Sequence, residues 1–327
     1  MRPTGTLHLG HYHGVLKNWL RLQQEYRCFF FVADWHALTT HYEDPRIIGE
    51  NLWSMVIDWL AVGIDPALAT LFVQSRVPEH AELHLLLSMV TPLSWLERVP
   101  SYKDQQERLK GLDLATYGFL GYPLLQSADI LIYQANLVPV GEDQVAHIEL
   151  TREVARRFNH LYTKQRGGFA LPEPASLLTP ASKMPGLDGQ KMSKSYGNTI
   201  ALREAPASIE KKLRTMPTDP ARMRRKDPGT PEKCPVWQLH GIYSAEDTKA
   251  WVQQGCHSAE IGCLDCKKPV IDAILTETAV FRERAQEYLD DMGWVHNIID
   301  EGCAKAQQVA QETLGEVRHA MGIRYTP

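Results

Sequence analysis

Two short segments carry side chains whose types and spacing suit work on a polyphosphate. The first, Pro3-Thr4-Gly5-Thr6-Leu7-His8-Leu9-Gly10-His11-Tyr12-His13-Gly14, runs directly into a stretch of helical period. Glycines at 5, 10 and 14 let a ligand approach the backbone, and a helix start offers phosphate unpaired N–H groups and the positive end of the dipole. His8 and His11 can there donate hydrogen bonds to oxygens whose charge grows during reaction. Taken alone, a histidine pair at a helix start also reads as a cap or a metal-ligand pair. The second segment, Lys191-Met192-Ser193-Lys194-Ser195, follows Leu187-Asp188-Gly189-Gln190. Two lysines three apart, flanked by serines on a loop, can close over a triphosphate and neutralise departing pyrophosphate. Alone, that pentapeptide reads as an exposed basic loop.

Three further groups could do chemistry. Tyr122, Gln126, Asp129 and Tyr133 fall at i, i+4, i+7 and i+11, one polar stripe on an otherwise apolar helix. Gly141-Glu142-Asp143-Gln144 follows a short strand and precedes a helix, the edge at which a parallel α/β sheet places ligands, although helix capping explains the acids equally. Cys234, Cys256, Cys263 and Cys266 are spaced C-x21-C-x6-C-x2-C. Such a set can bind structural zinc or an iron–sulfur cluster, or be four unliganded thiols, and spacing alone does not choose. Cys28 and Cys303 lie outside it.

The elements that must position these groups are legible as an alternation. Apolar, β-forming runs at 28–33 and 70–73 alternate with helix-period segments at 15–26, 47–62 and 80–89, the pattern of a parallel α/β sheet. A helix over 120–133, a strand over 137–140 and a helix over 144–158 follow. Pro172, Pro174, Pro180, Pro185 and Gly186 break residues 171–189 into a loop and a domain boundary. Beyond 205 the chain is helical in period, closing with amphipathic stretches at 269–292 and 295–321. We therefore expect a Rossmann-like, doubly wound catalytic domain over 1–195 and a smaller all-helical domain over 196–327, with the last helix packing back on the first domain.

The chain has 327 residues, enough for two cores, and 44% apolar residues without any run long and apolar enough for a membrane span. With no secretory signal visible, the expectation is a cytoplasmic protein with reduced thiols. Net charge is −4, unevenly spread: residues 151–233 hold 17 Lys/Arg against 8 Asp/Glu. That middle stretch is the candidate polyanion face, or a solvated surface where charges cluster.

Together the two opening segments resemble the HIGH and KMSKS signatures of class I aminoacyl-tRNA synthetases, as His8-Leu9-Gly10-His11 and Lys191 to Ser195. The similarity continues through Tyr122-Pro123-Leu124-Leu125-Gln126-Ser127-Ala128-Asp129, Val138-Pro139-Val140-Gly141-Glu142-Asp143-Gln144 and Leu150-Thr151-Arg152-Glu153-Val154-Ala155-Arg156-Arg157-Phe158-Asn159 to the bacterial tryptophan branch of that class.

The resemblance implies ATP-dependent, Mg²⁺-assisted activation of tryptophan and its transfer to tRNA(Trp) by a homodimer, with tRNA crossing both subunits. No protein nucleophile is needed: positioning and charge neutralisation by His8, His11, Lys191 and Lys194 suffice. By resemblance Arg2, Pro3, Thr4, Gly10, His11, Gly141, Glu142, Asp143, Met184 and Lys191 through Ser195, with Met192 and Ser193 among them, hold ATP, and Lys103 meets its triphosphate. Asp129 accepts the indole N–H, a group that only donates. Tyr122, Gln126, Gln144, His36 and Val140 border the same amino acid. The four cysteines, with Cys-Pro-Val-Trp and Ile-Gly-Cys-Leu-Asp-Cys-Lys-Lys around them, resemble a subset carrying a 4Fe–4S cluster, with Zn²⁺ as the alternative. Relatives of this branch also carry a short strand ahead of the Pro-Thr-Gly element, and we expect its counterpart upstream of Met1. The competing readings are a tyrosyl-tRNA synthetase, a small nucleotidyltransferase, and an RNA-binding paralogue without activity, against which His8, His11, Lys191, Lys194 and Asp129 are all intact.

Overall fold

The computed structural model describes residues 1–100, 115–163, 168–178 and 184–324. The expected parallel pairing is present. Strand β1 (Cys28–Val32) pairs with β2 (Ala69–Val73) in register from Cys28 opposite Ala69 to Val32 opposite Val73. The crossover is helix α4 (Arg46–Val62), whose residues 55–62 are all buried and which ends at Gly63 in the left-handed conformation, φ +107°. A helix that covers a sheet over two full turns buries a run of this length, apolar but for Asp58, and Trp59, fully buried, meets Trp19 edge-on at its centre.

The first helix is less regular than its sequence period suggests. It begins as α1 (Leu9–His11), passes through a π-helical turn over Tyr12–Leu16 and continues as α2 (Lys17–Glu25). Single π turns inside helices concentrate at functional sites, and this one follows His11 directly. Helices α3 (Asp34–His41), α5 (Glu79–Ser88), α6 (Leu93–Glu97), α7 (Tyr117–Leu131) and α8 (Val145–Tyr162) complete this half.

One reading of the sequence is corrected. Residues 171–189, taken as loop throughout, contain strand β4 (Ala175–Leu178), paired in parallel with β3 (Leu137–Val140). Pro172, Pro174 and Pro180 pointed to loop, but Ala175-Ser176-Leu177-Leu178 between them is free of proline, and four residues suffice for an edge strand. The two strand pairs are separate, and a groove of about 570 Å³ lies between them, lined by Cys28 to Phe31 on one side and Leu137 to Pro139 on the other. At its end the Met1 ammonium donates to the Phe31 carbonyl (2.6 Å) and Ala33 N–H to the Met1 carbonyl (2.8 Å).

The rest is helical: α9 (Pro206–Thr215), α10 (Pro235–Tyr243), α11 (Glu246–His257), α12 (Cys263–Asp290) and α13 (Met292–Met321). Helix α12 packs on α4 and α13 on β2, so one apolar core runs through both halves. Gly302 makes the second contact feasible, since a Cβ there would stand 1.7 Å from the Leu71 carbonyl oxygen. Among the described residues no helix is long and apolar enough to cross a membrane.

Candidate functional site

The His8 and His11 rings cap the start of α1 reciprocally. His8 Nδ1 accepts Gly10 N–H (3.1 Å) and His11 Nδ1 accepts His8 N–H (3.2 Å). With both Nδ1 atoms engaged as acceptors, the proton of each neutral ring is assigned to Nε2, which leaves an N–H free to donate. Burial, with Lys194 nearby, pulls the His8 pKa down to about 4; burial, His8 and Lys194 pull His11 to about 3. With these values the pair is neutral at physiological pH, so each Nε2–H can donate a hydrogen bond without adding positive charge. Gly10 permits the cap, because a Cβ would meet the His8 ring at 2.9 Å.

The second signature lies against the first. Leu9 N–H donates to the Ile200 carbonyl (3.0 Å) and Leu202 N–H to the Leu7 carbonyl (3.1 Å), so the segment after Ser195 zips to the segment before the helix. Lys194 Nζ donates to the Gly5 carbonyl at 2.7 Å. Burial pulls the Lys194 pKa down, Asp58 draws it back up and Arg2 adds to the depression, for a net lowering. Asp58 is buried on α4 and ion-paired to Arg203; burial outweighs Arg203, Leu7 N–H and Lys194 and lifts its carboxyl to about 6. Lys191 is exposed and Met192 buried, with Met192 N–H on the Met184 carbonyl (2.9 Å).

Next to these segments a cavity of about 420 Å³ gathers all six residues expected to border the amino acid, His36, Tyr122, Gln126, Asp129, Val140 and Gln144, together with Arg2. Helix α7 presents the expected stripe at Tyr122, Gln126 and Asp129. Tyr133 lies just past the last residue of α7 and stays on the side of Asp129, its hydroxyl 2.7 Å from Nε2 of His80, whose Nδ1 meets Asp129. The buried Asp129 carboxylate accepts from His36 Nε2 (2.6 Å), His80 Nδ1 (2.7 Å) and Gln74 Nε2 (2.7 Å). Burial pushes its carboxyl up, and the combined pull of His36 and His80, by charge and hydrogen bond, outweighs that and holds it well below the usual carboxylate range.

Glu142 to Gln144 form a 3₁₀ turn between β3 and α8. The turn is tight at Gly141, where a Cβ would stand 2.9 Å from Asp143 Oδ1. Glu142 and Asp143 are exposed beside the cavity's Gln144. Arg2 is exposed at the rim of the cavity, and partial desolvation there lowers its pKa. Pro3 and Met184 are buried, and Thr4 N–H turns back onto the Arg2 carbonyl (3.0 Å). Lys103 falls outside the described residues.

Cys234, Cys256, Cys263 and Cys266 converge on one small cavity with Thr218, Asp219, Arg222 and Val236. Arg222 places Nη1 3.7 Å from Cys256 Sγ, and its Nη2 donates to the Arg225 and Ile261 carbonyls (2.7 Å each). Burial and the other three thiols push the Cys266 thiol up to about 12. Among the described residues no group of three or more His, Cys, Asp or Glu side chains is placed to hold a metal ion, the four thiols included. Cys28 and Cys303 are buried elsewhere.

Residue patterns missed three contributors. Asn198 holds the Lys191 loop, accepting Ser193 N–H (2.8 Å) and donating to Asp188 Oδ1 (2.7 Å). Gln74 and His80 hold Asp129. Their only signal in the sequence is polarity at positions the helix and strand bury.

A family profile described as class I tRNA synthetases (W and Y) matches residues 1–277. A tryptophan–tRNA ligase of Ralstonia nicotianae is 60% identical over 391 aligned positions, covering 100% of this chain and 98% of the relative. One from Thermotoga maritima is 52% identical, covering 99% and 98%. Among solved structures, the Campylobacter jejuni tryptophanyl-tRNA synthetase complexed with ADP and tryptophan matches with a TM-score of 0.88 at 31% identity, over 98% of both chains.

Proposed function

We propose the following from one premise, that the chain belongs to the family of class I tRNA synthetases for tryptophan and tyrosine. Its activity is that of a tryptophan–tRNA ligase: with ATP and Mg²⁺ it activates tryptophan and esterifies it to tRNA(Trp). The observation that carries this at the level of the site is the Asp129 cavity, which gathers His36, Tyr122, Gln126, Val140 and Gln144 with Arg2, from the N-terminal segment whose Gly5 carbonyl accepts Lys194 Nζ.

In our reading the tryptophan side chain enters the cavity between α7 and β3, its indole N–H on Asp129 and its ammonium and carboxylate toward Tyr122, Gln126 and Gln144. Val140 and His36 close the sides. The carboxylate attacks the α-phosphate in line. His8 and His11 donate Nε2–H to phosphate oxygens, and Lys191 and Lys194 neutralise the departing pyrophosphate. Arg2, Pro3, Thr4, Gly10, Gly141, Glu142, Asp143, Met184 and the rest of the 191–195 loop cradle ATP, with Lys103 on the triphosphate. A site that must satisfy a buried carboxylate rejects side chains without a matching donor by about four to five powers of ten, so no editing site is needed.

Residues 1–195 form the catalytic domain and 196–327 the tRNA-reading domain, in a cytoplasmic homodimer across which one tRNA lies. The excess of Lys and Arg over 151–233 supports the polyanion face, and Arg214, Arg224, Arg225 and Lys226 are exposed along it. In that region the four cysteines hold a 4Fe–4S cluster, with zinc as the alternative. The convergence of four thiols on one cavity supports a metal centre, and buried Arg222 offsets thiolate charge. When bound, the cluster cross-links the loops at the ends of α10, α11 and α12.

Pyrophosphate exchange measured separately with tryptophan and tyrosine tests the whole reading. Exchange dependent on tryptophan alone supports it. Tyrosine dependence moves the chain to the other branch of its family, and no exchange with either would favour an inactive RNA-binding paralogue.

A further inference from the structure

The two oxygens of Asp129 are not equivalent. Oδ1 accepts two hydrogen bonds, from Gln74 Nε2 and His80 Nδ1, both at 2.7 Å. Oδ2 accepts one, from His36 Nε2 at 2.6 Å. A carboxylate offers about four acceptor sites, two per oxygen, so Oδ1 is saturated and the open site is on Oδ2. Gln74 and His80 have no solvent exposure and do not line the amino-acid cavity, whereas His36 does.

His80 is itself held from behind. Its Nε2 lies 2.7 Å from the Tyr133 hydroxyl, and its ring stands 5.9 Å from those of Phe31 and Phe72. Burial and the Asp129 charge keep the Tyr133 phenol protonated, so it donates to Nε2 and leaves the His80 proton on Nδ1, facing Oδ1.

We propose that His80, with Gln74, is a positioning residue for substrate selection: by saturating Oδ1 it stops the Asp129 carboxylate from turning and presents Oδ2 alone to the donor on the substrate ring. Neither side chain reaches the substrate. The inference rests on the reading that Asp129 accepts the indole N–H. It adds that selection for that N–H depends on residues from the turn after β2 and the first turn of α5, outside every signature segment.

The test is pyrophosphate exchange with tryptophan and with β-(3-benzothienyl)alanine, an isostere in which sulfur replaces the N–H. The ratio of their kcat/KM values reads donor recognition and cancels a general loss of fold. His80→Leu is expected to lower that ratio about 10- to 100-fold, by weakening tryptophan and sparing the isostere, as for loss of a hydrogen bond to a charged group. His80→Asn, which can keep an N–H near the Nδ1 position, should restore most of it. Gln74→Met carries the same expectation should His80→Leu fail to fold. Equal losses for both substrates, or no loss, would overturn the positioning role. Asp129→Asn separates the two ideas. If it abolishes the preference while His80→Leu and Gln74→Met leave it intact, the indole reading stands and this inference falls. If Asp129→Asn leaves the preference unchanged, both fall.

Discussion

His13 and Glu277, 264 positions apart in the chain, meet at 3.1 Å between Nε2 and Oε2, joining the π turn behind the first signature to the middle of α12. Tyr243, at the end of α10, donates to the same Oε2 (2.8 Å) and lies 2.9 Å from the same Nε2, while Lys17 stands 3.5 Å from Oε1. Two helices, one just after Cys234 and one opening at Cys263, thus end, or pass, against the turn that follows His11 and carries His13. The helical half is fastened to the catalytic helix by a buried polar node rather than by apolar contact alone.

That node has a definite pH signature. Burial pushes the Glu277 carboxyl up, and its bonds to His13 and Tyr243, with Lys17, outweigh this and bring it below the ordinary glutamate value. A carboxylate with a depressed folded pKa stabilises fully above its unfolded pKa, near 4.3, and that stability is lost as pH falls through the folded value. Glu277→Gln should therefore lower urea stability at pH 7 by about 1–3 kcal/mol and flatten its decline below pH 4.5. An unchanged acid limb in that variant would show that the node contributes nothing to folding.

Neutral histidines make a second pH prediction. With pKa values near 4 and 3, His8 and His11 already carry no charge at pH 6. The pH dependence of kcat/KM for ATP reports the free enzyme, so it should show no loss of activity from these groups as pH rises from 6 to 8. Were the rings needed as imidazolium, activity would fall tenfold per unit above the ordinary histidine pKa of about 6.5.

Lys194 offers a third. Its ammonium rests on the Gly5 carbonyl, at the loop that leads into the signature helix. Lys194→Ala should slow adenylate formation by about 10²–10³-fold, the size expected on removing one electrostatic contact made to the transition state. tRNA binding should change little. Equal losses in both assays would move this lysine to an RNA-binding role.

Most of what the site is made of could be read in the sequence because it depends on local order. His8 and His11 cap one helix start, and Tyr122, Gln126 and Asp129 fall on one helix face, so spacing alone groups them. What could not be read are contacts made by folding distant segments together. His80 and Gln74 reach Asp129 from 49 and 55 positions away. Asn198 is local to its loop, yet it looked like any turn residue until Gly186, where a Cβ would fall 2.1 Å from Asn198 Nδ2, proved to pack on it. Strand β4 escaped for the opposite reason: the prolines around it signalled loop more strongly than four residues could signal strand.

The last prediction concerns the cysteines, and it sets the Glu277 node against the metal centre. Cys263 opens α12, the helix that carries Glu277 to His13, and Cys234 directly precedes α10, which carries Tyr243 there. Protein purified without oxygen should be brown with about four irons per chain; colourless protein with one zinc would keep the site and replace the group. If the thiols hold iron, Cys263→Ser should lose it and weaken tRNA charging, because the segments that carry the four cysteines lie near the exposed Arg224, Arg225 and Lys226 in the chain. Tryptophan-dependent pyrophosphate exchange should be nearly unchanged, since the His13 node is held by Glu277, Tyr243 and the packing of α12 on α4, and Glu277 lies 14 positions beyond Cys263 along α12. A loss in exchange equal to the loss in charging would mean that α10 and α12 need the metal to stay in place against His13. Combining Cys263→Ser with Glu277→Gln distinguishes the cases: independent sites give additive losses, whereas a shared helix position gives less than the sum.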